Sequence, residues 1–269
     1  MTRALLATTL LLAACNAAPP EPVTPEPTTS EQADTSLSDL LVHYPVTLSP
    51  IAEGVWVHTS VYVFPGQMPY SSNGLVVVDG EAVTLIDGAW GEIATLSLLE
   101  AVRAETGKPV TRLIVTHHHA DRNAGVDVAE REGIEVFTHP DTPRLAVAIG
   151  QPVPDTSVAA LKEKGARTRV GRIEVAYPGH GHAPDNLVAW LPDEKILFGG
   201  CAVRGGEARS LGNIADADLD EWREAMLWTK TTYPDADMVV PGHGKGGGMA
   251  LLDATVSMID ARLAAQETD

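Results

Sequence analysis

The chain has 269 residues, 44% of them hydrophobic, enough to bury one large core or two fused halves. Its 36 acidic residues outnumber 19 Lys and Arg, for a formal net charge of −17. That balance argues against nucleic acid as a partner and says more about solubility than about fold.

The elements are taken in chain order. Arg3 and the apolar run 4–14 read as a secretory signal over residues 1–14, too short to span a bilayer. Leu12-Ala13-Ala14-Cys15 resembles the lipobox of bacterial lipoproteins. That implies a lipid on Cys15 as the chain's one membrane contact and a periplasmic location. Asn16 in place of Asp points to the outer membrane, while ordinary cleavage nearby would leave a soluble periplasmic protein. Residues 15–38, rich in Pro, Thr and Glu, read as an extended tether, and 39–269 as the folded domain.

A strand is expected from Gly54 into a hairpin loop that reaches about Tyr70, then strands at Leu75–Val78 and Ala82–Ile86. Apolar positions at helical spacing (Ile93, Leu96, Leu99, Val102) predict a helix over 91–106, closed by Gly107 and Pro109. A strand over 111–115, a helix over about 123–132, a strand over 134–137 and helical stretches in 140–165 follow. A second meander occupies 172–176, 187–191 and 195–198. Asp216 to Trp222 opens a helix running to about Thr231. A strand at 238–240 and a helix over 248–266 close the chain. Strands followed by helices, twice, predict an α/β (α+β) fold: a four-layer αββα sandwich of two similar halves, with a site at the shared sheet edge.

The chemistry concentrates at strand ends. Thr116-His117-His118-His119-Ala120-Asp121 follows an apolar strand, and in an extended segment its alternate donors His117, His119 and Asp121 point the same way. His180 and His182 lie in a Pro/Gly-shaped loop between two strands. Cys201 and His243 each follow another strand. Imidazole, thiolate and carboxylate are zinc ligands, so His117, His119, Asp121, His182, Cys201 and His243 make a candidate metal set.

These motifs resemble the metallo-β-lactamases, in the subclass B1 whose second metal is held by Asp, Cys and His. The likeness runs from about Gly54 to the C-terminal helix. It rests on His-x-His-x-Asp at 117–121, His182-x-x-Asp185-Asn186, Gly199-Gly200-Cys201, Leu211-Gly212-Asn213 followed by Asp216-Ala217-Asp218, and Pro241-Gly242-His243-Gly244. The resemblance implies two zinc ions and hydrolysis of the β-lactam ring of penicillins, cephalosporins and carbapenems, with antibiotic resistance as the outcome and a monomer as the working form. His117, His119 and His182 would hold the first zinc; Asp121, Cys201 and His243 would hold the second. Asp121 would orient the attacking water, Asn213 would lie by the lactam carbonyl, and Arg204 would grip the substrate carboxylate. The 61–70 loop would cover the substrate, and Asp79 would be a buried structural acid near the site.

His118, Ala120 and His180 depart from the family pattern, and His118 and His180 are expected outside the ligand frame. A thioesterase like glyoxalase II is the nearest rival. Those enzymes usually carry His directly after the motif Asp, where this chain has Arg122, and Asp where it has Cys201. A non-catalytic zinc-binding lipoprotein is the rival of another class.

Overall fold

The computed structural model describes residues 46–64 and 68–266. The expected signal, lipidation site and tether lie outside the described residues. Within the described part, eleven strands form two sheets. The first contains β1 (Val46–Ala52), β2 (Val55–Tyr62), β3 (Tyr70–Asp79), β4 (Ala82–Ile86), β5 (Val110–Ile114) and β6 (Glu135–Phe137), paired in that order. The second contains β7 (Arg167–Val170), β8 (Ile173–Ala176), β9 (Val188–Leu191), β10 (Ile196–Gly200) and β11 (Met238–Pro241), also in chain order. In each half an antiparallel meander ends in a parallel addition: β5 on β4 and β6 on β5 in one, β11 on β10 in the other. A helix makes each first parallel crossover, α1 (Gly91–Thr106) between β4 and β5 and α5 (Leu219–Thr232) between β10 and β11.

Side-chain alternation explains the four layers. Leu75 and Val77 of β3 join Ile86, Ile114, Ile173, Leu191 and Phe198 in the core between the sheets. Val76, one residue out of phase, joins Val83, Leu85 and Leu113 under Ala94, Leu98 and Val102 of α1. Across the sandwich, Leu197 and Val239 face Trp222, Met226 and Ile259 on α5 and α6 (Ala250–Gln266), while Phe198 and Val240 turn to the intersheet core. Both faces of the inner strands β3, β4, β9 and β10 are thus covered, which is why these read as near-continuous apolar runs. The expected αββα sandwich is what the structure shows. No helix among the described residues is long and apolar enough to cross a membrane.

Three elements differ from expectation. β1 and β7 are edge strands whose half-exposed, polar-rich sequences carry no apolar run. The helix expected over 123–132 divides into α2 (Ala120–Asn123) and α3 (Val126–Arg131). Gly125 lies between them, packed so closely on α1 that a Cβ there would meet Thr95 Oγ1 at 2.0 Å. The remaining helix, α4 (Thr142–Ala148), and one 3-10 turn (Ala159–Leu161) fill the link to the second sheet.

His58 on β2 is fully buried, and its Nε2–H donates to the Asp87 carbonyl at 3.1 Å while Nδ1 has no partner. That is the bonding of a neutral imidazole, and burial lowers its pKa to about 4. Below pH 6.5 the unfolded chain binds a proton that the folded chain refuses until about pH 4. Stability therefore falls as pH drops across that window. In metal-free protein, the unfolding free energy of wild type relative to His58→Gln should fall by about 3 kcal/mol from pH 7 to pH 4. Urea unfolding at the two pH values measures it, and a constant difference would refute it.

Candidate metal centre

The ends of β5, β8, β10 and β11 open toward one edge of the sandwich. Backbone bonds lock them together there: Leu187 N–H to Thr116 O at 2.8 Å, Gly242 N–H to Gly200 O at 2.7 Å, and Asn73 N–H to Gly242 O at 2.8 Å. Gly242 is needed for close approach, since a Cβ would meet Arg122 Nη2 at 2.5 Å and Cys201 Sγ at 2.8 Å.

The candidate ligands meet at this edge in two groups. His117 Nε2 and His182 Nε2 each lie 3.1 Å from His119 Nδ1. Beside them, Asp121 Oδ2 lies 2.9 Å from His243 Nε2 and 3.4 Å from Cys201 Sγ, and Sγ lies 3.3 Å from His243 Nε2. His117, Asp121 and Cys201 also offer donor atoms within 4.8 Å of one another, so the groups adjoin. Asp121 is placed differently from expectation. The extended segment carries only His117 and His119, and Asp121 sits in the first turn of α2, which His119 precedes with extended backbone.

Burial shapes the charges. It holds His117 well below the usual imidazole range, reinforced by His119 and His182, and lowers His182 to about 3. Both are neutral lone-pair donors at physiological pH. For Asp121, burial works against ionisation, but Arg122 and His243 override it and hold the carboxyl well below its ordinary value. Burial pushes the Cys201 thiol up, against the pull of Arg122. The donor set fits a metal. Three neutral imidazole nitrogens cannot all hydrogen-bond to one another, yet tetrahedral zinc at 2.0–2.1 Å would space them about 3.3 Å apart. The outer nitrogens are also oriented for ligation. His119 Nε2 faces Asp216 Oδ2 at 2.9 Å, and His243 Nδ1–H donates to Ser71 O at 2.7 Å.

Arg122, fully buried, joins the surroundings. Its Nη1 donates to Asn73 O and to Asp87 Oδ2 at 3.3 Å. Its Nη2 reaches Gly242 O at 2.7 Å, Asp121 Oδ2 at 3.0 Å and Cys201 Sγ at 3.1 Å. Asp87, raised to about 6 by burial against the attraction of Arg122, accepts from Thr116 N–H at 2.7 Å and Thr116 Oγ1–H at 2.9 Å. Asp87 is therefore the buried acid beside the site. Asp79 is not: it ends β3 at the far side, 28% exposed, paired with Arg112 and the Arg172 N–H. The Asp87-Gly88 turn at a strand end was the only signal for Asp87. Asp216, expected to open a helix, precedes it; Asp218 caps α5 by accepting from Glu221 N–H at 2.9 Å.

Over the ligands lies a cavity of about 380 Å³, lined by Phe64, Met68, Tyr70 and Trp90 on one side and Ala120, Arg204 and Asn213 on the other. Trp90, which no sequence motif marked, stacks on Tyr62 at 5.3 Å and meets Phe64 edge-on at 5.7 Å. Arg204 Nε donates to Ser210 O at 3.1 Å. Asn213 Oδ1 accepts from Ala215 N–H at 3.1 Å. As expected, His118 and His180 stand outside the two ligand groups; His118 bonds Asp185 and His180 bonds the Asp216 carbonyl.

Residues 68–243 match the family model of the metallo-β-lactamase superfamily. A protein of Bacillus sp. (strain 170) described as metallo-β-lactamase type 2 is 37% identical over 216 residues, covering 80% of this chain and 82% of the relative. One of the same description from Bacteroides fragilis is 32% identical over 218 residues, covering 80% and 86%. Among solved structures, a metallo-β-lactamase from Hirschia baltica superposes with a TM-score of 0.77 at 35% identity, covering 80% of this chain and 98% of that one. FIM-1 of Pseudomonas aeruginosa, solved in a mono-zinc form, gives 0.77 at 33% identity, covering 81% and 96%.

Removing the buried guanidinium leaves Asp87, Asp121 and Cys201 without their shared donor. Arg122→Leu should destabilise the fold by about 3–5 kcal/mol. Chemical unfolding checks it, and a loss below about 1 kcal/mol would show that the network carries little stability.

Proposed function

The chain belongs to the metallo-β-lactamase superfamily, and on that premise we propose that it is a subclass B1 enzyme that opens the β-lactam ring of penicillins, cephalosporins and carbapenems with two zinc ions, conferring resistance to them. The observation that carries this reading is the pairing of a three-imidazole group with an Asp–Cys–His group on the floor of one cavity. His117, His119 and His182 hold one ion, and Asp121, Cys201 and His243 hold the other. Bound there, zinc supplies Lewis-acid polarisation of the carbonyl and a water that ionises near neutral pH.

The chain's own residues do the rest. Arg122 and His243 both engage Asp121 Oδ2, leaving Oδ1 to orient the attacking water. With Nε tied to Ser210, the Arg204 guanidinium lies against Gly212 and presents its remaining N–H groups for a two-point grip on the substrate carboxylate. That local positive charge matters in a chain of net charge −17, which otherwise repels anions. The Asn213 oxygen is engaged by Ala215 N–H, so its amide N–H₂ is free to donate to the lactam carbonyl as negative charge develops there. Phe64, Met68, Tyr70 and Trp90 form an apolar wall that excludes water from the bound ring.

Two outcomes follow. Zinc-loaded protein should hydrolyse a carbapenem and a cephalosporin in a spectrophotometric assay, and a chelator should abolish turnover; two bound zincs with no ring opening would sink the proposal. Arg204→Ala loses a charge-assisted bond of about 1.5–3 kcal/mol, so KM should rise about 10–100-fold with a much smaller change in kcat. Arg204→Lys should recover part of that. An unchanged KM in steady-state kinetics would remove Arg204 from the binding role.

A further inference from the structure

His118 is the motif residue that the proposed mechanism leaves unused. It is 2% exposed, and its Nδ1 lies 2.8 Å from Asp185 Oδ1. Asp185 is itself fully buried, and its other oxygen accepts from the Thr142 hydroxyl at 2.8 Å. A fixed carboxylate on Nδ1–H selects the tautomer whose Nε2 carries the lone pair, the arrangement by which proteins orient a metal-binding imidazole. Nε2 has no hydrogen-bond partner among the described residues, and it is not among the polar atoms sealed from solvent.

The surroundings supply further donors. Ring nitrogens of His118 and His119 and a carboxylate oxygen of Asp216 lie within 4.8 Å of one another. Asp216 commits Oδ2 to His119, while Oδ1 has no partner and its side chain is 41% exposed, free to turn. His180 steadies the same residue, its Nε2–H donating to the Asp216 backbone carbonyl at 2.7 Å. An imidazole and a carboxylate suit zinc and its neighbours in the transition series.

We propose that His118 Nε2 and the Asp216 carboxylate, with water completing the coordination, form a third, weaker site for a divalent transition-metal ion at the rim of the cavity. The site rests on the two-zinc reading above and adds to it a regulatory contact. Asp216 orients His119, a ligand of the first ion, so an ion drawing on Asp216 weakens that support. Loss of such an outer partner costs about 10–100-fold in metal affinity or activity. Excess zinc therefore inhibits the enzyme.

Holoenzyme equilibrated by dialysis against graded free Zn²⁺ and counted by atomic spectroscopy tests this. Wild type should bind three equivalents, with turnover falling about tenfold as the third is taken up. His118→Phe and Asp216→Asn should each stop at two, and His118→Phe should lose the inhibition. Long-range ¹H–¹⁵N spectra of the histidines give a readout independent of activity and of any variant's folding. The His118 Nε2 resonance should shift with the third equivalent, while that of buried His58 stays fixed. A wild type that stops at two equivalents, or a third equivalent that both variants retain, overturns the third site. Turnover unchanged on binding the third ion overturns the regulatory role. Fewer than two equivalents in wild type overturns the two-zinc reading itself.

Discussion

The structure depends on one buried guanidinium. Arg122 is fully enclosed where the two sheets meet, and it touches the ends of β3, β4, β10 and β11 through Asn73, Asp87, Cys201 and Gly242. Taking an unpaired guanidinium out of water is prohibitive, so the site is workable only because carboxylates and carbonyls surround it. The constraint also runs the other way. Asp121 keeps its charge in a buried position because Arg122 and His243 are beside it. The guanidinium's place is built from both sides: α2 carries Arg122 inward, and Gly242 lacks the Cβ that would collide with Arg122 Nη2.

The same edge shows why the fold suits a multi-ligand centre. Strands of both sheets end there, and each contributes a short loop whose backbone is bonded to a neighbouring loop rather than to water. Donors far apart in sequence, His117 and His243 among them, are thereby held at fixed spacing without lying in one rigid element. Trp222 of α5 reinforces this from the helix layer, donating its indole N–H to Ala202 O at 2.8 Å beside Cys201 and packing 5.8 Å from the His182 ring. The hydrophobic layer and the candidate metal centre share that residue, so packing behind the second sheet transmits directly to a candidate ligand.

Much of this was legible in the sequence, because it is local. The period of α1 and the apolar runs of β3, β4 and β10 each report burial of nearby residues on one or two faces. All six candidate ligands follow strands, with glycine beside His182, Cys201 and His243, and the four-layer arrangement follows from the order of elements. What escaped is non-local. β1 and β7 are held by one neighbour each, so their exposed faces stay polar and their sequences look like loop. Asp79 and Asp87 both stand before glycine at strand ends, and only the pairing of the sheet puts one at the site and the other at the far end. Arg122 follows a motif aspartate and reads as a surface cation, since apart from Asp121 its partners lie 35 to 121 residues away.

Charge closes the argument. Asp87, Asp121 and Cys201 surround a single guanidinium in a volume shielded from water. Burial drives Asp87 up to about 6 and pushes the Cys201 thiol up, because one cation cannot offset three potential anions. The neighbouring imidazoles are forced neutral by the same burial, so they add lone pairs and no positive charge. A site with surplus anionic capacity and converging neutral donors holds its excess protons only until a cation from outside replaces them. The exchange of those protons for a cation is thus the property that fits the pocket to hold metal.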